Sequence, residues 1–157
     1  MPVFEKRTRI EAPPDVVFAF HERPDALNLL LPPWERARIL ERSGGLEKGA
    51  RTVIETYIGP VKQRLVAVHT AYEKGRMFQD TVIEGPFARW VHTHTMEPDG
   101  EGGTFLVDHI DYALPLGPLG ALFGGAFARR KLEKMFAFRH AVTKRACEDE
   151  AGSAFVR

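Results

Sequence analysis

Apolar and polar residues alternate along most of this chain, and the alternation predicts strands. Val3 to Glu11 alternates apolar residues or threonine with charge, as a half-exposed strand does. Pro13-Pro14-Asp15 stops that strand and opens a short helix, since proline and aspartate suit a first helical turn. Val16, Val17, Phe18 and Phe20 give this helix its apolar surface. Asp25 to Leu30 predicts a second short helix, ended by Pro32-Pro33, and Arg36 to Glu41 a strand. After Ser43-Gly44-Gly45, strands follow at Arg51–Ile58, Val61–Tyr72, Met77–Glu84, Phe87–Glu97 and Thr104–Leu114. Gly59-Pro60, Gly85-Pro86 and Pro98–Gly103 mark the turns between them. Connections this short pair neighbours antiparallel.

The last third changes character. Pro115 to Gly120 reads as a loop, and Ala121 to Glu150 as one long helix. Leu132, Met135, Phe136, Arg139 and Val142 form a stripe on it, extended by Gly125 and Ala128. Phe123 and Phe127 project from the opposite side, with core burial as the expectation and a dimer face or ligand portal as alternatives. Trp34, after Pro32-Pro33, is placed either at a cavity entrance or as an ordinary loop anchor. The expected architecture is α+β: a curved antiparallel sheet of about seven strands, two short N-terminal helices, and a long C-terminal helix across the sheet. Residues 1–150 form one expected domain, and 151–157 an expected frayed tail.

Strand parity sorts the candidate chemistry. Side chains two apart share a face. Trp90, His92, His94 and Met96 therefore point one way, and Leu106, Asp108, Ile110, Tyr112 and Leu114 share a face of the next strand. The apolar members turn inward and carry two imidazoles, a carboxylate and a phenol with them. Burial of such groups is costly without partners. Phe78, Asp80 and Val82 also share a face, so Asp80 joins the group if that face turns in. Arg139 on the helix stripe needs an anion, with Asp80 or Asp108 in reach as the expected partner.

Composition narrows the classes. The chain has 157 residues, 44% of them hydrophobic, enough for a real core. A net charge of +1 leaves no electrostatic footprint for nucleic acid or an anionic membrane. The lone Cys147 excludes an intramolecular disulfide and a multi-cysteine zinc site, and its place near a charged helix end reads as incidental. The opening MPVFEKRTRIEA fits neither a signal peptide nor a membrane span, which makes the cytoplasm the expected location. A monomer or homodimer without stable membrane insertion is expected.

The order of elements resembles the START-like or SRPBCC superfamily, the helix-grip fold of Bet v 1, polyketide cyclases/dehydrases and lipid-transfer domains. Phe78-Gln79-Asp80, Gly85-Pro86-Phe87, Trp90–His94, Asp108, Tyr112, Pro115-Leu116-Gly117 and Phe136-Ala137-Phe138-Arg139-His140 resemble its branch of small bacterial proteins. The resemblance implies a deep pocket between sheet and long helix that holds a hydrophobic or amphipathic small molecule. Asp80, Trp90, His92, His94, Met96, Asp108, Tyr112, Phe136 and Arg139 are the expected wall.

Several chemistries fit this wall. In the simplest, the polar groups satisfy one another and hold the fold. In another they orient a ligand. In a third, a carboxylate-paired imidazole among His92, His94 and Asp108 acts as general acid or base, and Tyr112 donates to a forming enolate. The resemblance to polyketide cyclases suggests that third chemistry. Two histidines at i and i+2 lie ~6.6 Å apart at Cα and could share an ion with Asp80 or Asp108. No third histidine is obviously placed beside them, so neither metal nor cofactor is expected. A protein-interaction module would instead require an exposed Phe123/Phe127 patch and no cavity.

Overall fold

The alternating segments pair as their short turns require. A computed structural model describes the backbone of residues 2–156, with side chains through residue 152. The strands are β1 (Val3–Ile10), β2 (Arg38–Ser43), β3 (Arg51–Ile58), β4 (Val61–Glu73), β5 (Met77–Glu84), β6 (Arg89–Pro98) and β7 (Thr104–Ala113). They form one seven-stranded sheet in the order β1-β7-β6-β5-β4-β3-β2, every described pair antiparallel. Gly59 takes φ 57° in the β3–β4 turn, a conformation that costs a residue with a Cβ but not glycine. Helices α1 (Pro14–Glu22) and α2 (Ala26–Leu30) connect β1 to β2, and α3 (Gly117–Val156) lies across the sheet. The architecture is the expected helix-grip.

Alternation puts one sheet face against α1 and α3. Ile10, Phe18, Phe20, Phe78, Met96 and Leu106 form one buried cluster. Phe4, Ile110, Tyr112, Leu132 and Phe136 form a second, nearer the start of α3. Each fully buried large apolar side chain contributes roughly 1.5–3 kcal/mol, so these clusters clamp the helices to one half of the inner face. The other half stays open beneath the first turns of α3.

Some boundaries differ from the sequence pattern for identifiable reasons. The helix α3 begins at Gly117, not Ala121, because Pro118 falls in its first turn, where the missing N–H costs nothing. It runs to Val156 rather than ending at Glu150. No proline interrupts that stretch; Arg157 lies outside the described residues. Strand β2 starts at Arg38, not Arg36, and its pairing shifts at a bulge between Ile39 and Glu41. Phe123 and Phe127 are exposed rather than core, because the first turns of α3 overhang the open half of the sheet. Trp34 anchors its loop to α3, packing edge-on to Phe138 with Lys134 over its ring. Cys147, read as incidental, is fully buried in the first cluster.

Candidate functional site

Register brings the polar residues into rows. Asp80 on β5 faces His92 on β6, and His94 on β6 faces Asp108 on β7. The two imidazoles lie nearly face to face, 3.6 Å between centroids, with a carboxylate at each end. Asp108 Oδ1 accepts from His92 Nε2 at 2.6 Å and from His94 Nδ1 at 2.9 Å. Its Oδ2 accepts from Nε2 of His140 on α3 at 2.5 Å. At the other end, Asp80 Oδ2 accepts from His94 Nε2 at 3.0 Å and stands 3.6 Å from His92 Nδ1. The tie between helix and sheet is therefore His140, not Arg139. Arg139 Nε instead donates to the Leu30 carbonyl at 3.2 Å, and its guanidinium lies over Phe136.

Electrostatics follow from this packing. Burial alone would raise the Asp108 carboxyl, but the His94 charge and hydrogen bonds from three imidazoles hold it well below the usual range. Burial opposes charge on His94 too, and the two carboxylates overcome it, so His94 is the imidazole that favours its protonated form. His92 goes the other way: burial and then the neighbouring His94 charge lower it. His21 on α1, whose Nδ1 donates to the Val17 carbonyl at 2.8 Å, is pushed down to about 4, chiefly by burial and next by His94. It stays neutral at pH 7.

The cluster is the floor of a cavity of about 880 Å³ between the sheet and α3. Its walls are largely aliphatic and aromatic, including Leu30, Ile54, Leu65, Val82, Phe87 and Leu132. Of the residues named from the sequence, Asp80, Trp90, His92, His94 and Arg139 line it. Met96, Asp108, Tyr112 and Phe136 do not. The three strand residues face inward under the helices, so Asp108 acts from behind the histidines and Tyr112 sits in the apolar core, while Phe136 packs from α3 onto Phe4 and His92. The expected donation from Tyr112 to a ligand enolate is thereby set aside. Phe123 and Phe127 are exposed at the cavity mouth.

Sequence reasoning missed three imidazoles. His21 and His69 line the cavity, and His140 buttresses Asp108. His69 lies opposite Asp80 in register, its Nδ1 donating to the Leu46 carbonyl at 2.7 Å. Its ring continues a stack through Phe78 to His94, with centroids 5.8 and 4.0 Å apart. Parity did not mark His69: the β4–β5 register shifts between His69 and Ala71, so parity counted from the turn pairs Asp80 with Thr70 instead. His140 follows Phe136 by four residues on the helix, and that spacing was the available signal for it.

A sheet gripping one long helix over a lined cavity defines the helix-grip class, the SRPBCC superfamily. The chain belongs to the family described as polyketide cyclase / dehydrase and lipid transport, whose model matches residues 1–148. No curated protein sequence gives a significant match. Among solved structures, it is similar to norcoclaurine synthase from Thalictrum flavum (TM-score 0.73, 13% identity, covering 95% of each chain). It is also similar to protein CV1439 from Chromobacterium violaceum (TM-score 0.69, 16% identity, covering 93% of this chain and 96% of that one). A nucleoside-diphosphate sugar epimerase from Corynebacterium glutamicum matches with TM-score 0.67 and 23% identity, over 90% of this chain but 28% of that one. At these identities the likeness establishes the fold. Among the described residues, no helix is long and apolar enough to cross a membrane.

Proposed function

We propose that the protein binds a hydrophobic or amphipathic small molecule, lipid-like or polyketide-like and aromatic, in the cavity between sheet and α3. The observation that carries this reading is the cavity itself. About 880 Å³ lies within the range of small-molecule sites, and an apolar wall with a few convergent polar groups is their usual chemistry. The histidines and Asp80 would take the polar end of the ligand. Leu116, Leu119, Phe123 and Phe127, exposed around the mouth, would admit its apolar body. The family description names polyketide and lipid ligands, and one norcoclaurine synthase structure holds dopamine and hydroxybenzaldehyde. A cytoplasmic monomer or homodimer with no nucleic-acid partner completes the reading, in keeping with the net charge of +1.

Native mass spectrometry of gently purified protein, followed by thermal shift and calorimetry with fatty acids and aromatic polyketides, tests it. Ala67 lines the cavity, so Ala67→Phe fills volume that the ligand needs. Affinity should fall about tenfold or more while the circular dichroism stays unchanged. A broad panel without binding, or full affinity in the filled variant, would count decisively against the cavity as the site.

One observation favours a second reading, a cyclase or dehydratase. His94 faces the cavity from between two carboxylates that favour its protonated form, which suits a general acid. His92 lies beside it, and Asp108 positions both. Under this reading His94→Gln lowers turnover by about a hundredfold and leaves ligand affinity within a few-fold. Equal loss of binding and turnover would reduce His94 to a ligand-orienting residue.

A further inference from the structure

The cavity floor gathers nitrogen and oxygen acceptors more closely than a ligand-orienting wall requires. Asp108 accepts from one nitrogen of His92 and one of His94 and is itself held by His140. A single buried carboxylate thus fixes both rings from behind, as outer-shell carboxylates fix histidines that bind metal. The opposite nitrogens, His92 Nδ1 and His94 Nε2, are turned toward Asp80 Oδ2, at 3.6 and 3.0 Å. With His92 Nε2 donating to Asp108, a neutral His92 ring presents its Nδ1 lone pair to the Asp80 carboxylate. A proton on His94 Nε2 bridges only one of the two gaps. A cation between them would satisfy all three groups.

The distances suit such an ion. One ligand atom from each of Asp80, His92 and His94 lies within 4.8 Å of the others. Atoms about 2.0–2.2 Å from one tetrahedral zinc lie roughly 3.3–3.6 Å apart, so small side-chain rotations close the site. All three residues line the cavity, leaving the remaining coordination positions open toward it. His21 and His69 add to the nitrogen-rich surroundings. Each commits Nδ1 to a backbone carbonyl, which in the neutral ring leaves Nε2 an acceptor.

We propose that Asp80, His92 and His94 form a mononuclear site for a divalent first-row transition ion, best matched by zinc, that opens onto the cavity. Two imidazoles and one carboxylate with free positions is a donor set for zinc or non-haem iron rather than for calcium or magnesium. An oxygen donor of the cavity ligand (hydroxyl, carbonyl or carboxylate) would complete the coordination. The inference goes beyond the ligand-binding reading and does not depend on it.

The test is a titration of chelator-stripped, full-length protein with zinc chloride, followed by calorimetry without any cavity ligand. Cobalt is then titrated and followed by its visible absorption. One ion should bind per chain with Kd below about 1 µM, and cobalt should give tetrahedral bands without thiolate charge transfer. Asp80→Asn, His92→Gln and His94→Gln should each weaken binding about a hundredfold, and Asp108→Asn by about 10–100-fold. His109→Gln should change nothing, since His109 is half-buried on β7 and pairs with Glu5, not with the cluster. Should the cluster variants fail to fold, imidazole nitrogen spectra of the wild type decide, because zinc must move the His92 Nδ1 and His94 Nε2 signals. Absence of one-to-one binding at about 100 µM zinc, affinity indifferent to folded cluster variants, or shifts confined to His109 would each overturn the proposal. Since no cavity ligand is present, such a failure leaves the ligand-binding reading standing.

Discussion

Asp108→Asn should destabilise the protein by about 3–5 kcal/mol, the usual cost of removing one partner from a buried ionic network. Asp108 is 4% exposed and accepts hydrogen bonds from His92, His94 and His140. An asparagine keeps one acceptor oxygen and presents an NH2 where the other stood, so at least one imidazole N–H meets a donor. The protonated form of His94 also loses one of its two anions. The damage spreads across the fold, because these bonds join β6 and β7 to α3, and His140 continues to the Thr8 hydroxyl on β1 at 2.7 Å. Urea denaturation at pH 7 checks the expectation through the midpoint, with the slope unchanged. Asp111→Asn is the control. Its carboxylate pairs with Arg89 near the surface, where solvent screens the pair, and its loss should leave the midpoint nearly unchanged. A comparably small effect at Asp108 would mean that the helix does not depend on the network for its seat.

The residues in that network differ in how plainly the sequence announces them. Strand parity is a property of the backbone, so Trp90, His92 and His94 had to share a face, and short turns fixed which strands lie beside them. Asp80 needed one further step, since both faces of β5 carry apolar residues and only its neighbours orient it. Parity says which face is inward but not what covers it. Met96, Asp108 and Tyr112 therefore face in yet lie under helices rather than on the cavity wall. The helix is harder to read. Arg139 and His140 are about 100° apart around α3, and either fits a broad stripe beside Phe136. Docking against the sheet decides between them: His140 goes under to Asp108, and Arg139 swings toward Leu30. His21 and His69 were hidden for a related reason. Their surroundings come from strands and helices distant in sequence, and no local pattern marks them.

Cys147 leads to the second large expectation, a loss of stability at high pH. Its side chain is fully buried among Ile10, Val17 and Phe18, where a thiolate would have no water to solvate it. Burial pushes the thiol up to about 12, with the Glu150 and Glu148 charges adding to the effect and Arg23 opposing it weakly. In the unfolded chain the same thiol ionises near its ordinary value of 9.0. The folded value is the higher one, so the unfolded state gives up its proton first. Stability from this group is therefore complete below about pH 8 and falls as pH rises toward the folded value. By pH 10.5 the loss should reach about 2 kcal/mol. The wild-type profile alone does not isolate the thiol, so a variant without it is needed. Cys147→Val keeps a small apolar side chain and every other titrating group. Urea midpoints of the two proteins at pH 8 and pH 10.5 should show the wild type losing about 2 kcal/mol more than the variant. Native protein at pH 8 should also react with dithiobis-nitrobenzoate only through opening, at a rate that climbs with added urea. Parallel pH profiles would show that the helix end breathes enough to hydrate the thiolate. Rapid labelling without urea would lead to the same conclusion, and Cys147 would then not belong to the packed core.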